Sequence, residues 1–431
     1  MLTTLLLVFL VMLVAGVPVG FAMAVSALLA LWAGGTIPLT IVPQTMAGAL
    51  DSFPILAVPF FLLAGELMEH GGLTTRLLRF SGCLVGHLKG GLMHMSIFGS
   101  LIFSGVSGSA VADASAIGSV TIKAMIRKGY DASYVAAVQA AAAAVGPIFP
   151  PSITMIVWAS MTSLSIGAMF LGGVIPGLLM YFGLMIYNHY HSVRAGYEGQ
   201  TRASLRDLLD SFVVALPALV MPVLILGGIV GGVFTATEAG CAASVYAFVA
   251  GKWIYRDLEW RDLEQIFVRA AASVSMVMLI VASSTAFGWV LAIEEFPNLV
   301  VGALLTLTSS AAGIVAILMV FLLVIGCFID VLPAAIILIP VLDPIAGKYG
   351  FEPIYYAVLM LMTLTVGLIT PPVGVALYIC SGIAGVSLTD ASRKVLVPTI
   401  ILVVVCVLCA LFPELITAVP RWLMPKAFAR G

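Results

Sequence analysis

What this sequence has least of is charge. Its 431 residues carry 19 lysines and arginines and 20 aspartates and glutamates, 9% in all, whereas soluble domains run at about 25%. That is too little to solvate the two or three domains a soluble chain of this length would form. The balance of charge, net −1, leaves no basic face for a phosphate backbone, so DNA and RNA are excluded as partners. Cysteine is sparse too. Cys83, Cys241, Cys327, Cys380, Cys406 and Cys409 are scattered, mostly in apolar runs, and form no disulfide framework. Cys406 and Cys409 have CxxC spacing, but the apolar run 403–411 offers nothing that would activate a thiolate. His189 and His191 open the most polar stretch, 191–210, predicted to be a loop where solvated histidines need no metal. Residues 1–4 have no basic character and no small-residue cleavage site closes the run that follows, so no removable signal peptide is expected.

What is present is apolar: 62% of the residues, with a mean hydropathy of +1.19. This is the composition of an integral membrane protein, in which a spanning helix takes about 20 apolar residues. The run 2–33 is too long for one upright span and contains Gly16-Val17-Pro18-Val19-Gly20, so it predicts either one tilted helix or two short ones. A span at 53–68 follows, then 73–88, where Arg76 and Arg79 among leucines predict an amphipathic arm at the interface. Residues 91–123 split at the Ser/Gly-rich stretch 104–109, leaving halves too short to cross and hence a re-entrant hairpin. Residues 134–161 are long enough to cross but are broken at 146–152, and 166–187 form another span. The order then returns. Spans at 212–231, 235–253 and 266–291 lead to an interfacial segment at 297–311, a hairpin at 313–342 split at 326–330, a span at 355–383 broken at 367–372, and a last span at 395–411.

An offset of 221 lays Val145-Gly146-Pro147-Ile148-Phe149-Pro150-Pro151 on Val366-Gly367-Leu368-Ile369-Thr370-Pro371-Pro372, with the glycine, the isoleucine and both prolines coinciding. The same offset puts Gly105 on Gly326 and Ser109 on Asp330, so the two hairpin tips fall in register. Basic residues flank the first hairpin on both sides (Arg76, Arg79, Lys89; Lys123, Arg127, Lys128), which opens it to the cytoplasm by the positive-inside rule. Span parity puts Arg194, Arg202, Arg206, Lys252, Arg256 and Arg261 on that side and Glu294 and Glu295 opposite, so the second hairpin opens outward. Arg421, Lys426 and Arg430 fall outside, against the rule. The expected architecture is an all-α polytopic membrane protein built as an inverted structural repeat, residues 1–210 and 211–431. Each half has scaffold helices, an interfacial arm, a re-entrant hairpin and a broken helix.

A helix broken at membrane depth exposes carbonyls at one half-helix end and N–H groups at the other, which can hold a cation beside an anionic substrate. The tip residues Ser104, Ser107 and Ser109 facing 146–152 offer uncharged oxygens to a small hard cation, and Gly326 with Gly367, Thr370 and Val373 is the mirror. Prolines and glycines also kink packed helices without function, a reading that a symmetric pair of breaks makes less apt. Asp113 and Asp330, carboxylates near the tips, read equally as helix support or as ion contacts. Glu66 marks an interface, and Glu238 has capping-box spacing from Thr235.

The strings Phe60-Phe61-Leu62-Leu63-Ala64-Gly65-Glu66-Leu67-Met68, Ser107-Gly108-Ser109, Pro150-Pro151-Ser152, Gly232-Val233-Phe234-Thr235-Ala236-Thr237-Glu238-Ala239 and Pro371-Pro372-Val373-Gly374 resemble the large membrane subunit (DctM-like) of tripartite ATP-independent periplasmic (TRAP) transporters. Five ordered motifs spread over the whole chain carry the resemblance. It implies an elevator-type fold of the ion-transporter superfamily, sodium-driven uptake of an organic acid such as a dicarboxylate, sialic acid or sugar acid, and an inner-membrane location in a bacterial or archaeal cell. It also implies a small four-helix membrane partner (DctQ-like), expected as a separate chain because this one begins with the large-subunit pattern, and a periplasmic substrate-binding protein (DctP-like). No cofactor is expected beyond sodium as coupling ion. The family's sodium sites carry over to Ser104, Ser107, Gly146, Phe149 and Pro150, and to Gly326, Gly367, Thr370 and Val373. Ser109, Ser152, Asp113, Asp330 and Pro371 are candidates for substrate contact or support. Two other readings compete. A proton-coupled carrier of the same fold would titrate Asp113 and Asp330, and an intramembrane hydrolase would need a base beside its serine, for which no motif is present.

Overall fold

In the computed structural model, which describes residues 1–35, 37–308 and 310–428, the first apolar run is two short helices, α1 (Leu2–Val14) and α2 (Val19–Gly34). Gly16, at φ +78°, and Pro18 make the turn between them. The two helices run antiparallel, because a Cβ on Gly34 would meet the Met1 side chain at 2.3 Å. Residues 2–33 are thus a further helical hairpin, whose arms, at about 1.5 Å per residue, are too short to cross a hydrocarbon core of about 30 Å. The terminal ammonium lies 3.6 Å from the Glu294 carboxylate, which ties the open end of this hairpin to the end of a helix nearly three hundred residues on.

The chain continues through α3 (Ile41–Leu50), which the sequence reading missed, α4 (Ala57–His70), α5 (Leu73–Val85), α6 (Gly91–Ser107), α7 (Ala110–Arg127), α8 (Ala132–Ala144), α9 (Ile153–Thr162) and α10 (Ile166–Ala195). The second half contains α11 (Leu205–Val230), α12 (Ala236–Val249) with a π-helical extension Ala250–Tyr255, α13 (Trp260–Ile293), α14 (Phe296–Leu307), α15 (Ala311–Gly326), α16 (Val331–Tyr349), α17 (Pro353–Gly367), α18 (Val375–Ala384), α19 (Leu388–Leu411) and α20 (Glu414–Leu423). Six helices among the described residues are long and apolar enough to cross a membrane. The two hairpins are α6–α7 and α15–α16, and the two broken helices are α8–α9 and α17–α18. The starts of these four paired helices keep the 221 offset to within one residue. Their caps repeat as well: Asp131 accepts the Ser133 and Tyr134 N–H groups before α8, and Glu352 accepts those of Ile354 and Tyr355 before α17. Thr235 and Glu238 form the expected capping box at α12.

Helix α19 shows how the hairpins are oriented. Lys394, near its start, lies 3.2 Å from Asp131, while the Tyr355 hydroxyl donates to the Ala410 carbonyl at its other end, 3.1 Å away. The starts of α8 and α17 therefore lie at opposite ends of a membrane-length helix, and each start directly follows its own hairpin. The two hairpins open to opposite faces.

Two expectations need correction. The loop predicted from His191 begins only at Gly196, because α10 runs on to Ala195. Some of its polar residues face protein while His189, Tyr190 and Arg194 stay exposed: Asn188 accepts the Tyr134 hydroxyl (2.8 Å) and donates to the Gly90 carbonyl, and His191 stacks on Tyr134 with ring centroids 3.8 Å apart. The chain also does not end with the span to Leu411. Helix α20 follows, with Ile416 packed near Gly172 and Ile354, and so lies at the α17 end. Arg421 and Lys426 accordingly sit on the face away from Arg127, as parity predicted and against the positive-inside rule; Arg430 lies outside the described residues.

Asp131 allows a test at the α8 end. Its burial alone would raise the carboxyl, but the hydrogen bonds from Lys394, Ser133 and Tyr134 hold it below the usual carboxylate range. A lowered carboxyl adds stability that is present above its unfolded value near pH 4 and lost as pH falls through the folded value. Asp131→Ala should therefore cost about 1 kcal/mol at pH 7, the usual worth of a helix cap, with the gap to wild type closing under acid. Denaturation curves at both pH values check this, and a gap independent of pH would refute it.

Candidate functional site

Gly108, at φ +57°, ends α6 and turns the first hairpin. A Cβ there would lie 2.6 Å from the Pro151 carbonyl oxygen and 3.0 Å from Ser152 Cα, so the tip rests backbone to backbone on the break between α8 and α9. Only glycine permits both the dihedral and the approach. Gly146 faces the Ser104 hydroxyl at 3.3 Å by the same measure, and Gly105 faces the Pro150 carbonyl at 3.7 Å. Phe149 covers Gly177 and meets Tyr181 edge-on at 6.4 Å. Ser104, Gly146, Phe149 and Pro150 are thus drawn together. Ser107 sits on the same tip, where its hydroxyl takes the Ser109 N–H at 3.5 Å. Ser109 and Ser152 are N-caps, accepting from Ala112 and Met155. These side chains and the carbonyls freed at the break form a set of uncharged oxygens, a donor chemistry that fits a sodium ion.

Asp113 does not cap α7, since Ser109 fills that position. It lies one turn in, fully buried, and its carboxylate accepts the hydroxyls of Ser100 (2.6 Å) and Ser104 (3.2 Å) and, at 3.5 Å, the Gln139 amide. Ser104 is in turn 2.7 Å from the Tyr181 hydroxyl, and Gln139 takes the hydroxyl of Ser96, which also bonds Thr121. Sequence reasoning missed this network. Its signal was there in Ser96, Ser100 and Ser104, spaced four apart on one face of α6, and in Gln139 alone among alanines.

The second hairpin meets its break just as closely. A Cβ on Gly367 would stand 2.4 Å from Gly326 Cα, and the Gly374 N–H donates to the Cys327 carbonyl at 3.1 Å. Thr370 donates its hydroxyl to the Val366 carbonyl (2.9 Å), while Pro371 and Val373 are exposed. Asp330, half-buried, directly precedes α16. The Pro150-Pro151 and Pro371-Pro372 peptides are both cis. The two assemblies match in backbone and differ in exposure: Ser104 is 0% exposed, whereas Val373 is 39% and Phe328 56% exposed.

Two hairpin tips are thus seated on two helix breaks, and sequence comparison decides the family. The description "Tripartite ATP-independent periplasmic transporter, DctM component" matches residues 6–415. The chain belongs to this DctM family. It is 38% identical to the isethionate TRAP transporter permease protein DctMQ of Oleidesulfovibrio alaskensis, covering 96% of this chain and 65% of that one. It is 36% identical to the sialic acid TRAP transporter large permease protein SiaM of Vibrio cholerae, over 95% of this chain and 96% of the other. A third relative, the 2,3-diketo-L-gulonate TRAP transporter large permease protein YiaN of Escherichia coli, is 35% identical over 95% and 96%. Among solved structures, the Alcanivorax borkumensis YdaH transporter shares the fold, with a TM-score of 0.61 at 15% identity over 87% of this chain and 89% of that one. This DctM chain is a multi-pass membrane transporter subunit and not an enzyme, and the hydrolase reading falls.

Proposed function

We propose that this DctM chain takes up an organic acid together with sodium across a bacterial inner membrane, by an elevator movement of a body that carries both hairpins. The observation that carries this reading is the seating of each tip on its break. At both places glycine lets the backbone of the tip close on the backbone of the break, so that carbonyls and hydroxyls converge. Ser104, Ser107, Gly146, Phe149 and Pro150 would hold one cation, and Gly326, Gly367, Thr370 and Val373 the other. The half-helix N-termini of α9 and α18 begin at the two breaks, and their positive dipole ends would favour an anionic group there. Pro371 is exposed at the second break, and Asp330 directly precedes α16 at the second tip. The substrate class follows the relatives, whose names include sialic acid, isethionate and 2,3-diketo-L-gulonate. A small membrane subunit and a periplasmic binding protein complete the tripartite assembly.

Thermal unfolding of the purified chain in sodium and in equal potassium tests the coupling ion. A ligand bound only by the native state adds about 2.7 kcal/mol at a hundredfold excess over its Kd. A sodium-specific rise in Tm that Ser107→Ala and Thr370→Val each diminish is the expected result. Equal curves in both salts would overturn sodium coupling in favour of the proton-coupled carrier.

A further inference from the structure

Asp113 is a carboxylate with no ion-pair partner among the described residues, fully buried in a hairpin at membrane depth. Isolated charge there is costly unless something offsets it. Its neighbours supply hydroxyl and amide donors only, from Ser100, Ser104 and Gln139. The geometry points to Asp113 as the positioning residue of the first cation site, acting through Ser104 and lending the site the negative charge its own oxygens lack. This rests on the sodium reading above.

With Asp113 ionised its carboxylate only accepts, so the single Ser104 hydroxyl proton goes to Asp113. Tyr181, 2.7 Å from the same oxygen, is then the donor of that contact. One Ser104 lone pair is left over, on an oxygen that stands beside Gly146, where the missing side chain leaves room. The repeat supports a role for the charge. At the 221 offset Asp113 falls on Ala334 and Asp330 falls on Ser109. Each hairpin therefore has one carboxylate at the start of its second helix, one helical turn apart in register, so charge is retained while its position is not. In the second hairpin the carboxylate sits directly at the tip; in the first it reaches the site through a serine.

The test is a sodium titration of thermal unfolding at constant ionic strength, with potassium as the balancing ion, on the purified full chain. Asp113→Asn keeps an acceptor oxygen and removes the charge. It should raise the sodium midpoint about tenfold or more, as loss of a partner behind a metal ligand does. Ser104→Ala should do the same, and the double variant should be no worse than the weaker-binding single, because both act on one oxygen. A residue that merely holds the fold together would lower Tm in potassium and leave the midpoint in place. An Asp113→Asn midpoint within about twofold of wild type, or effects that add to those of Ser104→Ala, would overturn the inference. If wild type itself shows no sodium response, the sodium reading fails first, which is a distinct result. Should Asp113→Asn not fold, Asp113→Asn with Ser109→Asp moves the charge to the register of Asp330. A regained sodium-specific shift supports the inference, and its absence in a folded double variant overturns it.

Discussion

Replacing Gly367 by alanine is expected to unseat the second hairpin, lowering stability by about 3 kcal/mol, the upper range for overpacking, and, on the sodium reading proposed above, weakening the stabilisation by sodium. The added Cβ would stand 2.4 Å from Gly326 Cα, 2.5 Å from the Gly326 carbonyl carbon and 3.0 Å from the Cys327 nitrogen. All three are backbone atoms, so no rotamer change relieves the clash and the tip must move. Moving it also strains the hydrogen bond from Gly374 to Cys327. Alanine is the better helix former by about 1 kcal/mol, which works against the loss without cancelling it. Gly382, in the other half of the same broken helix, has nothing within 4 Å of a built Cβ, so Gly382→Ala should be neutral or slightly stabilising. Paired denaturation curves and sodium titrations of the two variants decide the matter. Equal behaviour would mean that the close approach of tip and break carries no energy.

A disulfide between positions 288 and 340 should stop uptake, and reductant should restore it. Helix α16 of the second hairpin leans on α13, where the Ser284 hydroxyl donates to the Ile336 carbonyl (2.6 Å) and a Cβ on Gly288 would lie 2.9 Å from Pro340 Cβ. Disulfides span Cβ atoms about 3.8 Å apart, so Gly288→Cys with Pro340→Cys needs only a small opening of the contact. The native cysteines, all free, must be replaced first. An elevator slides the hairpin-bearing body along the scaffold helices, and a bond between α13 and α16 would prevent that. Transport of the acid by oxidised, fully cross-linked protein at the reduced rate would refute the elevator.

Much of this protein was legible in order along the chain, because the forces involved are local. Apolar run length sets which helices can cross, and glycine and proline set where they break. Caps such as Ser109, Ser152 and Thr235 with Glu238 act on groups two or three residues away. The 221 offset carried both hairpins and both breaks to within one residue at their starts. The full residue sets proposed for the two cation sites came instead from the resemblance to DctM-like subunits, the residues alone pointing only to the tips and the breaks. Tertiary structure decided whatever depends on groups far apart in sequence. Residues 2–33 became a hairpin because Met1 meets Gly34 and Glu294. Helix α10 outlasts its apolar run because Asn188 and His191 find Tyr134, some fifty residues earlier, and a polar group such as the Asn188 amide, once hydrogen-bonded, tolerates leaving water. Asp113 has its donors on α6 and α8, so that it is held by neighbouring helices rather than capping its own emerged only when three helices were packed around it. A periodic pattern specifies an element, but the partner that satisfies a buried polar group comes from wherever the fold brings one.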